Sequence, residues 1–110
     1  MHQLSQEMNS CIDDCLRCYQ ICLGTAMTHC LEAGGKHTQP QHFRLMMACA
    51  EICRTAAHFM LLNSPHHKHV CAECAEICQE CARDCGQIGE MQECVEACQR
   101  CAESCRKMTA

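Results

Sequence analysis

Fifteen of the sixteen cysteines in this chain obey one spacing rule. Cys11, Cys15, Cys18 and Cys22 lie near the start, and Cys94, Cys98, Cys101 and Cys105 near the end, both sets in steps of four, three and four. Between them, Cys71, Cys74, Cys78, Cys81 and Cys85 step three, four, three and four, and Cys49 and Cys53 form one further pair. Steps of three and four return side chains to one stripe of an α-helix, the stripe that in a bundle normally carries Leu or Ile into the core. The spacing therefore predicts thiols that face inward. Soft donors extend the stripe: Met8 precedes Cys11, His67 precedes Cys71, Met91 precedes Cys94 and Met108 follows Cys105. In the second segment the same register reads His42, Met46, Cys49, Cys53, Ala56, Met60.

Several chemistries compete for such a stripe. A buried cysteine can act as a small hydrophobe, but fifteen in one register exceed what packing alone asks for. Disulfides within a helix fail on length, because side chains three or four apart hold their Cβ atoms about 5–6 Å from each other, against about 3.8 Å in a bridge. Iron–sulfur and zinc sites use CxxC halves, usually from loops that wrap one ion or cluster. Here CxxxC is at least as frequent as CxxC and both lie in continuous helical pattern, so a discrete site would leave most thiols idle.

Copper(I) is soft, prefers thiolate and thioether, and accepts few ligands. Two metal–sulfur bonds of about 2.3 Å end to end span roughly 4.5 Å, within reach of an i, i+4 cysteine pair. Charge separates the metals further. A zinc ion with four thiolates leaves net negative charge, costly to bury many times over, whereas Cu(I) and thiolate near one to one cancel. The residues thus point to several Cu(I) ions held by thiolates. An iron–sulfur or zinc cluster protein and a metal-free thiol redox buffer are the alternatives. Nothing resembles a nucleophile and base facing a substrate pocket, so no enzyme is expected.

Helices must position these thiols. Two prolines mark breaks, in GGKHTQP around Pro40 and NSPHHKH around Pro65, and a third break falls at Cys85-Gly86-Gln87-Ile88-Gly89, where Gly86 suits a helix C-terminus. The segments between, roughly 4–33, 41–63, 67–86 and 90–108, are rich in Ala, Glu, Gln, Met and Leu and poor in β-branched residues. CIDDCLRCYQIC, CAECAEICQECARDC and CVEACQRCAESC repeat one unit. Short connections make consecutive helices antiparallel neighbours. The expected fold is all-α, one domain over residues 1–110, an up-down-up-down four-helix bundle with a cysteine-lined core.

The rest of the composition narrows the setting. Aromatics are only Tyr19, Phe43 and Phe59, so cysteine replaces the usual packing residues. The start has no export signal and no stretch approaches a membrane span, so a cytoplasmic location is expected, where thiols stay reduced. A net charge of −4 with mixed signs offers no field for nucleic acid or an anionic membrane.

The repeated CxxxCxxC runs on four helical segments, the short loops and the histidine–methionine fringe resemble the copper storage proteins, cysteine-lined four-helix bundles that hold many Cu(I) ions, and in particular their cytosolic branch. The resemblance spans essentially the whole chain. It implies copper sequestration for homeostasis, exchange with a copper donor or acceptor protein, and assembly into a homotetramer. The second segment departs from the uniform pattern, since Ala56 and Met60 occupy two positions where cysteine would stand.

Outside the stripe, Cys30 falls off the strict register and reads equally as a terminal ligand or an inert buried thiol. His67 lies one turn before Cys71 and is favoured as a ligand. His2, His37 and His58 have no cysteine at helical spacing and are expected in solvent, as are Asp13, Asp14, Glu73, Glu76, Glu96 and Glu103. In the expected topology Met8, Met60, His67 and Met108 gather at one end and suggest a copper entrance there, the other end carrying His42, Met46, Met91, Phe43 and Ile88.

Overall fold

A computed structural model describes residues 4–109. Four long helices form the bundle: α1 (Gln6–Thr25), α2 (Pro40–Leu61), α3 (His67–Ile88) and α4 (Gln92–Lys107). No strand occurs among the described residues. Each helix packs on the next and α4 returns to α1, giving a rod of 49 × 22 × 19 Å. Contacts run antiparallel: Cys11 at the start of α1 meets Cys105 at the end of α4, while Cys22 meets Cys98.

The helix ends follow local chemistry. The Ser5 hydroxyl caps α1 by accepting from the backbone N–H of Met8 at 3.0 Å, with Glu7 in the first turn to complement the helix dipole. Pro40 opens α2, where its missing N–H leaves nothing unpaired. Arg106 and Lys107 close α4 with the charge its C-terminus favours.

Two local features depart from the sequence expectation. The helix predicted to stop at Gly86 continues to Ile88, and Gly89, with φ +89°, terminates it, its N–H bonded to the Cys85 carbonyl at 3.0 Å. Gly86 is an exposed interior residue, and glycine costs a helix only about 0.5–1 kcal/mol relative to alanine, too little to stop one whose opposite face is buried. The second feature lies past α1, whose chain continues through a π-helical turn (Ala26–Cys30) into Leu31–Ala33. A π turn takes up one extra residue. The seam beyond Cys22 would otherwise fall on Thr25 and His29; instead Ala26 and Cys30 are fully enclosed.

The core has two zones. Its axis is thiol, with every cysteine at 0–1 % exposure. Around it, Ala50, Ala57, Ala75, Ala82, Ala97 and Ala102 let the helices approach closely, and larger side chains such as Tyr19, Ile21, Phe43, Ile52, Ile77 and Val95 pack half-buried on the flanks. The bulky apolar groups form a sleeve around the sulfur.

Candidate metal centre

The cysteines of all four helices converge on the bundle axis, and they do so in overlapping groups. Cys11, Cys71 and Cys105 bring their sulfurs within 4.8 Å of one another at the end where α3 begins. Next come Cys15, Cys74, Cys101 and Cys105; then Cys53, Cys74, Cys78 and Cys101; then Cys18, Cys49, Cys53 and Cys78; then Cys18, Cys22, Cys49 and Cys98. Each group shares at least one cysteine with its neighbour, so the sulfurs form a continuous column, which Cys81, Cys85 and Cys94 extend on their own helices.

Sulfur separations give the column its chemistry. Neighbouring pairs across helices lie 3.4 to 3.9 Å apart, from Cys53–Cys78 at the short end to Cys74–Cys101 at the long end. The i, i+4 pairs Cys18–Cys22, Cys74–Cys78 and Cys81–Cys85 stand at 3.8, 3.9 and 3.9 Å. Three sulfurs each about 2.3 Å from one ion stand about 4 Å apart, so these distances suit two- and three-coordinate soft metal with little movement. All sixteen thiols are free. The clip envisaged within one helix is thus one element of a larger net, since most close partners lie on different helices.

On the axis Cys101 faces Cys15 at 3.6 Å, Cys53 at 3.7 Å and Cys74 at 3.9 Å. Its S–H bonds leave Cys15, Cys18 and Cys105 below the ordinary thiol range, Cys15 at about 7, while Cys101 itself is pushed far up, foremost by Cys105. Neighbouring S–H groups thus favour the anionic form at a few of these sulfurs.

Where α2 lacks cysteine, Ala56 and Met60 are fully enclosed on its inner face. The layers around Cys15, Cys74 and Cys105, and around Cys11 and Cys71, therefore draw their thiols from α1, α3 and α4 alone. Met108 is 8 % exposed, and Met8 and His67 are half-buried, with His67 Nδ1–H donating to the Ser64 carbonyl at 2.7 Å. At the far end His42, Met46 and Met91 are buried, with Phe43 and Ile88 half-buried nearby in sequence.

Residues outside the strict register fall partly as expected and partly not. Cys30 points inward, its Sγ 3.8 Å from Met46 Sδ, because of the π turn. His37 is buried, not solvated: the 3₁₀ turn Gly35–Thr38 folds it back so that its ring meets His29 edge-on at 4.9 Å. His58 is exposed, and His2 lies outside the described residues. Asp14 is half-buried, accepting from Ser104 and pairing with Arg100 at 3.5 Å, which ties α1 to α4. Sequence reasoning missed Asp84, whose carboxylate accepts from His42 Nδ1–H across the α2–α3 interface. Helical spacing holds no signal for such a long-range pair.

Comparison with known proteins decides what the column belongs to. A family model described as "copper storage protein" matches residues 4–110. The chain belongs to the copper storage protein family. Among solved structures, the Nmul_A1745 protein from Nitrosospira multiformis is 56 % identical, with a TM-score of 0.93 over 94 % of this chain and 95 % of that one. The Cu(I)-bound copper storage protein BsCsp3 is 39 % identical, with a TM-score of 0.88 over 96 % of this chain and all of its own. Apo-Csp3 from Bacillus subtilis, also 39 % identical, gives 0.77 over 93 % and 98 %. The curated relative YhjQ of Bacillus subtilis (strain 168), described as an uncharacterized cysteine-rich protein, is 38 % identical over 84 residues, 76 % of this chain and 77 % of its own. The four-helix bundle is thus shared with these solved structures.

Proposed function

We propose that this protein stores many Cu(I) ions along the column and gives them up again, acting as a reservoir and not as a catalyst. The observation that carries this reading is the overlap of the sulfur groups: fully enclosed thiols are shared from layer to layer at soft-metal spacing. Each ion that binds replaces a thiol proton, so thiolate and Cu(I) near one to one fill a buried channel without net charge. The ligands are Cys11, Cys15, Cys18, Cys22, Cys49, Cys53, Cys71, Cys74, Cys78, Cys81, Cys85, Cys94, Cys98, Cys101 and Cys105. The same charge argument disfavours zinc.

Copper enters at the end bearing Met8, Met60, His67 and Met108. Neutral thioether and imidazole hold Cu(I) less tightly than thiolate and pass it inward, and Met8 and His67 are half-open to solvent there. A reducing compartment, the cytoplasm, keeps sixteen crowded thiols free. No described helix is long and apolar enough to cross a membrane. Exposed leucines, Leu31, Leu61 and Leu62 at 53–60 %, support assembly with further copies, a tetramer by family resemblance; a copper donor or acceptor protein would be a transient partner.

The test is anaerobic titration of the reduced protein with Cu(I), and in parallel with Zn²⁺, followed by metal analysis. Close to one Cu(I) per seam cysteine is expected, with much lower Zn²⁺ uptake. Saturation at a handful of Cu(I) ions would overturn storage in favour of a discrete site.

A further inference from the structure

The column does not end on thiols at the far end of the bundle. Past Cys49 the inner face of α2 continues to Met46 and His42, at 0 % and 1 % exposure. These two stand one helical turn apart on one face, and Met46 Sδ lies 3.8 Å from Cys30 Sγ. His42 Nδ1–H is donated to Asp84, the residue next to Cys85. His42 Nε2 is buried with no hydrogen-bond partner.

That orphan nitrogen is the telling feature. A buried polar atom without a partner costs about 1–3 kcal/mol, and a histidine needed only as an interhelix clamp gains nothing from placing its second nitrogen in the core. A hydrogen bond from Nδ1–H to a carboxylate fixes the tautomer whose lone pair is on Nε2, the arrangement by which carboxylates orient metal-ligating imidazoles. The π turn supplies the other half, since without it Cys30 would not reach Met46.

We propose that His42 Nε2, Met46 Sδ and Cys30 Sγ form a mixed-donor Cu(I) site terminating the column at its closed end, with Asp84 as the positioning residue. The proposal rests on the storage reading and adds a chemically distinct last site to it. On binding, the Cys30 thiol releases its proton to solvent and forms one Cu–S bond; copper stays Cu(I), and one thiolate with two neutral donors leaves the site uncharged. With two of its three donors neutral, this site is weaker than the thiolate layers, so it fills last and empties first.

The decisive experiment is NMR of the full chain with isotope-labelled histidine nitrogens during anaerobic titration with Ag(I), a soft monovalent ion whose nuclei couple to a bound nitrogen. His42 Nε2 should gain a metal coupling only in the last equivalents. In a matching Cu(I) titration, His42→Gln should saturate one ion short of the unsubstituted protein, and Asp84→Asn should weaken the last ion by about 10–100-fold without loss of the earlier ones. His42 resonances unchanged through saturation, or undiminished capacity in His42→Gln, would overturn the site while leaving storage intact. Uptake of only a handful of ions by the unsubstituted chain would instead sink the storage reading. Should His42→Gln lose its helical signal, the Ag(I) spectra of the unsubstituted chain decide alone.

Discussion

Alkali should unfold the metal-free protein, and the thiol column sets how steeply. Cys15, Cys18, Cys22 and Cys105 are held below the ordinary thiol range. The other twelve are held above it, by shared S–H contacts backed by burial and, at Cys30, by burial first. An unfolded thiol titrates near pH 8.5. The four lowered groups contribute stability that is complete above that pH and then constant. The raised groups contribute stability that is complete below it and lost as pH climbs toward their folded values, so the slope above about 8.5 belongs to them. Cys71 is pushed up to about 12, first by Cys105. Cys78 reaches about 11, Cys101 pulling it down but Cys18 and burial outweighing that. Between about pH 8.5 and 10.5 these two alone remove on the order of 5 kcal/mol, comparable with the whole stability of a small domain, about 5–15 kcal/mol. The remaining raised thiols steepen the loss. Helical circular dichroism and thiolate absorbance, followed together in an anaerobic titration, should therefore change in one cooperative step centred near or below about pH 10, while the copper-loaded form, with no thiol protons to lose, keeps its helices. Thiolate absorbance that rises gradually around pH 8.5 with the helices intact would refute this account.

Other outcomes follow from the same structure. Metal-free protein at neutral pH should already be largely helical, and each copper site held at a hundred times its Kd should add about 2.7 kcal/mol to thermal stability; a coil that folds only on copper addition would contradict the preformed core. Gly86→Ala should raise stability by about 0.5–1 kcal/mol, its position being helical with open space around it, while Gly89→Ala should lower it because φ there is +89°; opposite signs in thermal melts would mean the helix ends at Gly86 after all. Replacing Met8, Met60, His67 and Met108 together by leucine should slow copper uptake and chelator-driven release with capacity nearly unchanged, and stopped-flow traces identical to the parent would move the entrance elsewhere. Deleting Thr25 should convert the π turn to regular helix and leave Cys30 in the core, because Ala26 and Cys30 then fall three and seven residues after Cys22, on the seam; a thiol newly open to a bulky alkylating reagent would refute this.

How far the sequence reveals this depends on the range of the interaction. The four helices and their inner faces were legible because three- and four-residue steps are a local code, and cysteine made the code unusually easy to see at Cys71 through Cys85. The place of Cys30 was not, because the missing clue is a change of helical pitch. Its only trace is that Cys22, Ala26 and Cys30 step four and four where the seam would step three and four. Gly86 misled because glycine's local preference was weighed without the burial of its neighbours Cys85 and Ile88. His37 and Asp84 were misplaced or missed because a fold-back turn and an interhelix hydrogen bond join residues that no periodicity relates.

The sharing of sulfurs between neighbouring groups means that no ion owns its ligands. Cys105 belongs to two neighbouring groups, and so do Cys74, Cys101, Cys53, Cys78, Cys18 and Cys49. An ion can step to the next layer by exchanging one donor while a shared sulfur holds on, so copper travels the length of the rod without ever being bare. Traffic is then single file along a chain of handovers, so an isotopically distinct portion of copper added last stays nearest the mouth and should be enriched among the earliest ions to leave.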